Sequence, residues 1–88
     1  NPFSICLTRI DGDYNADELV PLIGVAVAAI RTCMRNFDDA YRLRANEFMV
    51  SLKHADTKGG LKFIERLNEE LKNLSASFTM SSCIAEPI

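Results

Sequence analysis

Residues 38–53 read DDAYRLRANEFMVSLK. Two runs with alternating side chains, Asp38 to Arg44 and Glu47 to Lys53, are separated only by Ala45-Asn46. A period of two belongs to strands, and a connection this short leaves room only for a hairpin. The glycine of the commonest such turn is missing here. Upstream, Leu19, Leu22, Ile23, Ala26, Val27, Ile30 and Met34 recur at helical spacing from Asp17 onward. Pro21 suits only the start of that helix, where its missing N–H costs nothing, and Asn36 is its expected stop. Further upstream, Phe3 to Ile10 (FSICLTRI) reads as a strand closed by the turn Asp11-Gly12-Asp13. Downstream, Asp56 or Thr57 caps a second helix with Leu61, Ile64, Leu67, Leu71 and Leu74 as its apolar face. Ser77 to Ala85 then alternates as a last strand. The order βαββαβ predicts an α+β domain of ferredoxin-like type, an antiparallel sheet with both helices on one face.

Eighty-eight residues, 48% of them hydrophobic and 25% charged, suit one domain with one core. The net charge of −2 opposes broad, sequence-blind binding to nucleic acid, which requires many phosphate-neutralising cations. Cys6, Cys33 and Cys83 lie far apart in apolar runs and are expected to be reduced and buried, which favours a reducing compartment. Leu19 to Ile30 is too short for a membrane span, and no metal-ligand spacing surrounds His54. The chain begins at Asn1 without a methionine and is expected to be an excerpt of a longer protein.

The chemistry lies at the two ends of the first hairpin strand. At one end stands Arg35-Asn36-Phe37-Asp38, an R-x-x-D; five residues later, after Asp39 to Leu43, comes Arg44-Ala45-Asn46-Glu47-Phe48. This spacing resembles the GGDEF family of diguanylate cyclases, whose GG(D/E)EF hairpin is the active site and whose R-x-x-D is an inhibitory site. Tyr41-Arg42-Leu43, the strand Phe48 to Leu52, Ser77 to Pro87 and Phe3 to Asp11 resemble the family's flanking segments, so the likeness covers nearly the whole chain. The resemblance also places Arg66, eighteen residues beyond Phe48, where family members carry a further arginine of the inhibitory site.

The same resemblance implies no catalysis. Arg9 stands at the position of a metal-binding aspartate, and an arginine repels a cation instead of ligating it. Arg44 and Ala45 replace the glycines that let backbone approach the nucleotide, and Asn46 replaces the charged metal-site acid. The segment Asp11 to Leu22 is shorter than the family's and lacks its nucleotide-pocket lysine. No catalytic residue, metal or cofactor is therefore expected.

What remains is a receptor. The resemblance assigns cyclic di-GMP to Arg35, Asp38 and Arg66, with Lys62 one turn from Arg66 on the same face. A guanidinium holds phosphate or a guanine edge, and a carboxylate accepts from guanine N–H groups. In the family, two intercalated ligand molecules fill this groove. PelD-like receptors, which control Pel-type exopolysaccharide export, resemble this pattern most. They imply a cytoplasmic domain, attached to other domains of the same protein or to a secretion or signalling complex, or the cytoplasmic part of an inner-membrane protein. The plainer alternatives stay open: Arg35 and Asp38 close an exposed turn whose loss barely affects folding, and Arg66 pairs with Glu70. A ligand-free interaction or dimerisation module and a residual cyclase or GTP-binding regulator are the rival functions.

Overall fold

The computed structural model describes residues 2–86. Its elements are β1 (Phe3–Ile10), α1 (Ala16–Cys33), β2 (Asp39–Arg44), β3 (Glu47–Lys53), α2 (Thr57–Asn73) and β4 (Met80–Ala85). The strands form one antiparallel sheet in the order β2-β3-β1-β4, as the sequence order predicts. β1 occupies the centre, and its alternate residues Ser4, Cys6, Thr8 and Ile10 are buried together with Phe48, Val50 and Leu52 of β3. Ile5, Leu7, Met49 and Ser51 point to the opposite, more open face and are only half-buried. Thr8 and Ser82 satisfy each other across β1 and β4 at 2.7 Å.

The first helix starts earlier than its apolar periodicity indicates. Asn15 accepts from the Glu18 N–H at 2.9 Å while Glu18 accepts from the Asn15 N–H at 3.0 Å, a capping box. The helix thus begins one residue before Asp17, and Pro21 lies past its first turn, where it is exposed and water can reach the carbonyl it fails to serve. The helix also ends sooner, at Cys33, with extended Met34 as its cap in place of Asn36.

The buried stripe of α2 is Gly60, Phe63, Leu67 and Leu71. Leu61 and Leu74, expected in the core, are half-exposed, and Phe63 takes the central place. A ring of that size fills the space between α2 and the sheet, and it rotates the helix so that Leu61 faces water. Gly60 permits the closest approach, because a Cβ there would lie 2.8 Å from the Ile84 side chain. β4 begins three residues later than the alternation suggests. Ser75, at φ 54°, ends α2 in the left-handed region, and the chain bends through 77–79 with Phe78 buried before pairing starts at Met80. At the other turn, Gly12 adopts φ 117°, which a side chain rarely tolerates.

The three cysteines differ, against the expectation that all are buried. Cys6 is buried, Cys33 half-buried and Cys83 exposed, because β4 is an edge strand whose outer face has no cover. All three are free thiols, and burial pushes the Cys6 thiol up to about 12.

The placement of Phe63 is open to test by urea denaturation. Phe63→Ala is expected to cost about 3–5 kcal/mol, and Leu61→Ala about 0.5 kcal/mol or less. Equal losses would place the helix face where the leucine pattern alone puts it.

Candidate functional site

After the last turn of α1, the chain reverses through Arg35-Asn36-Phe37-Asp38, closed by the Asp38 N–H donating to the Arg35 carbonyl at 3.0 Å. The Asp38 side chain has no exposed surface. Its Oδ2 accepts from the Arg35 backbone N–H at 3.0 Å and from Arg35 Nε at 3.3 Å, and its Oδ1 accepts from the Lys53 N–H at 3.2 Å. Arg35 Nη2 in turn donates to the Lys53 carbonyl at 2.9 Å. The pair thus grips both polar groups of one backbone unit at the end of β3. The turn is not the exposed, dispensable loop that the sequence suggests, at least at Asp38. The motif's spacing carries no sign of this, because the grip depends on the register between β2 and β3.

That register is itself adjusted. Arg42 pairs with Phe48 but Arg44 with Glu47, so Leu43 is a surplus residue, and beyond the bulge Asp39, the first residue of β2, pairs with Ser51.

Arg35 keeps 43% of its side chain exposed. Two of its N–H groups are taken, by Asp38 and Lys53, which leaves three of its five for a ligand. Its guanidinium lies 4.8 Å from the centre of the Phe37 ring, a cation–π contact that limits its swing. Arg66 reaches the same region from α2. Its Nη2 donates to the Cys33 carbonyl at 3.4 Å, where α1 ends and its carbonyls lack helical partners. Glu70, its expected partner, instead accepts from Asn73 at 3.3 Å. Burial pushes the Cys33 thiol up, and the charge of Arg66 offsets part of that shift.

Arg35, Lys62 and Arg66 line one groove of about 280 Å³, with Leu52, His54 and Phe63 also on its walls. The structure therefore brings two of the three sequence-identified residues together on an accessible surface. The third, Asp38, stands behind them as the support of Arg35. His54 was assigned no role by sequence, and its single occurrence without a motif gives no signal.

The hairpin is occupied with itself. Arg44 Nε lies 3.5 Å from Glu47 Oε1, and Arg42 donates to the carbonyls of Arg44 and Ala45, each at 3.2 Å. Asn46 donates through Nδ2 to the Ile10 carbonyl at 3.4 Å and accepts the Ile10 N–H at 2.9 Å. Nearby, Asp11 takes hydroxyls from Thr79 and Ser81 and lies 3.9 Å from the Arg9 guanidinium. Among the described residues, no three of His, Cys, Asp and Glu come together as ligands for a metal ion. At the two resemblance-implied ligand positions, the Arg9 guanidinium cannot ligate a divalent cation, and the Asn46 carboxamide offers an oxygen without charge.

The fold is thus a four-stranded antiparallel α+β domain with a cationic groove at one end of β2 and a hairpin at the other. Residues 12–85 match the family model described as the diguanylate cyclase GGDEF domain, and the chain belongs to this family. No curated protein matches it. Among solved structures it is similar to the diguanylate cyclase SiaD from Pseudomonas aeruginosa, solved with its activator SiaC, at a TM-score of 0.85 and 16% identity over 99% of this chain and 38% of that one. A diguanylate cyclase from Thermotoga maritima gives 0.80 and 13% over 97% and 63%. The active GGEEF domain of a Vibrio cholerae cyclase gives 0.74 and 12% over 99% and 63%. The chain thus spans between 38% and 63% of the length of these three relatives. No helix among the described residues is long and apolar enough to cross a membrane.

The grip of Asp38 gives a stability prediction. Asp38→Ala leaves two part-buried backbone N–H groups without their acceptor and is expected to cost about 1–3 kcal/mol in urea unfolding. Arg35→Ala, at a half-exposed side chain, is expected to cost less than half as much. Equal and small effects would show that Asp38 is not the anchor of the turn.

Proposed function

We propose that this domain is a catalytically inactive GGDEF-type receptor that binds cyclic di-GMP in the groove between the Arg35 turn and the first half of α2 and passes the signal to a partner domain or complex. One observation carries the reading: Arg35 and Arg66, remote in sequence, line the same groove, and Arg35 offers three free N–H donors beside it. The guanidinium of Arg35 holds a phosphate oxygen or the guanine edge, and Asp38 fixes its direction. Arg66 supplies the second charge, with Lys62 beside it. The groove is near the lower limit of small-molecule sites, roughly 300 Å³, and holds one guanine and its phosphate. The other half of the cyclic dinucleotide then lies outside, where a second ligand molecule stacks on it. A cytoplasmic domain is consistent with this ligand, as in the exopolysaccharide and biofilm receptors the sequence resembles.

The hairpin supports inactivity. Its polar groups close on one another and on β1, and Arg9 opposes a metal beside it. The exposed Tyr41 and Leu43 on edge strand β2 favour a second reading, a ligand-free interaction module. Calorimetry with cyclic di-GMP separates the two.

Arg35→Ala and Arg66→Ala each remove a charge-assisted contact worth roughly 1.5–3 kcal/mol and are expected to weaken binding by about ten- to a hundredfold. If both variants bind like the parent, the groove is not the site. In a second experiment, the domain with GTP and magnesium or manganese is expected to make no cyclic di-GMP above a protein-free blank. Joint replacement Arg44→Gly, Ala45→Gly and Asn46→Asp is expected to leave that result unchanged, because Arg9 remains. Turnover by the parent that Glu47→Ala abolishes would establish an enzyme.

A further inference from the structure

We propose that His54 is a ligand-contacting residue whose imidazole forms the aromatic wall of the groove and stacks on a guanine base. The inference rests on the reading of the groove as a cyclic di-GMP site and adds a residue to it. His54 lies between β3 and α2 and lines the groove with Arg35, Lys62 and Arg66. Two rings line this groove, but Phe63 is 0% exposed, which leaves His54 as the ring a ligand can reach.

His54 forms the turn that carries the chain from β3 to the cap of α2. The backbone sits at φ 59°, in the left-handed region that residues with a side chain seldom occupy. Among the described residues, the side chain of this exposed residue takes part in no hydrogen bond. The ring packs edge-on against Phe37, with centroids 5.2 Å apart and planes at 87°. A perpendicular contact fixes the orientation of the imidazole and leaves at least one face uncovered. Phe37 also carries the Arg35 guanidinium at 4.8 Å, so one ring positions both the histidine and the arginine. Cations alone hold phosphates, whereas a base also needs a flat partner. Unstacked bases are taken up on aromatic rings and guanidinium planes, and His54 with Arg35 and Arg66 supplies both kinds of surface.

The chain contains one histidine, so its imidazole signals in a proton–carbon correlation spectrum are unambiguous. Titration of the parent with cyclic di-GMP is expected to move them upfield, as a ring current from a stacked base does. His54→Ala and His54→Gly are expected to weaken binding about tenfold or more, and His54→Phe to bind close to the parent. The glycine variant suits the left-handed backbone, so a loss of affinity there is not a folding defect, and its urea midpoint checks this. Unmoved imidazole signals, or His54→Gly binding as tightly as the parent, overturns the proposal and leaves the groove reading standing. A parent that binds no cyclic di-GMP overturns both.

Discussion

The buried carboxylate of Asp38 joins the end of α1 to the end of β3, and the layout of the groove depends on it. β2 is exposed along all six of its residues, so apolar burial contributes little to its position. Its ladder with β3 and the Asp38 anchor hold it in place. A carboxylate without exposed surface is tolerable only when hydrogen-bonded, and here three N–H groups supply those bonds. Two of the three are backbone donors that would otherwise be orphaned, at the turn and at the last residue of β3. The same contact that satisfies the backbone also points Arg35 at the groove. Local structure and candidate binding surface therefore share one set of bonds.

The fold was legible because its signals are periodic. The alternation in 38–53 and the helical spacing from Leu19 identify elements that the sheet order then arranges in the ferredoxin-like manner. Boundaries were less legible, because they rest on single contacts. The Asn15–Glu18 capping box is present in the sequence as N-x-x-E, and it sets the helix start at Ala16, one residue before Asp17. The leucine spacing of α2 points to a face centred away from Phe63, although a phenylalanine amid lysine and glutamate is the larger apolar group. The lateness of β4 follows from the left-handed Ser75, which no propensity indicates.

For the candidate site, motif spacing points to residues, whereas their contacts with one another come only from the fold. Arg35 and Arg66 share a groove, a fact that follows from the crossing of α2 near the end of α1 and not from their thirty-residue separation. Asp38 was marked as a ligand acceptor, yet its oxygens already hold three protein donors. A carboxylate so placed contributes to recognition chiefly by fixing its arginine, since releasing those donors to accept from a base would cost the turn its closure.

Distance explains how the two ends of β2 can differ in character. Six residues of strand span roughly 20 Å, about twice the Debye length at physiological ionic strength. Arg44, Glu47 and Arg9 at the hairpin are therefore nearly invisible, electrostatically, to Arg35 and Arg66 at the groove. The bulge at Leu43 takes up any mismatch between the two ends, because one surplus residue shifts the register without moving the Asp38 anchor. Substitutions that fill the hairpin and tie it to Ile10 thus leave the groove's charges and backbone in place. The hairpin, with Arg44, Ala45 and Asn46 beside Glu47, and the arginine-lined groove are thus independent of one another, since the two share a strand but no hydrogen bond.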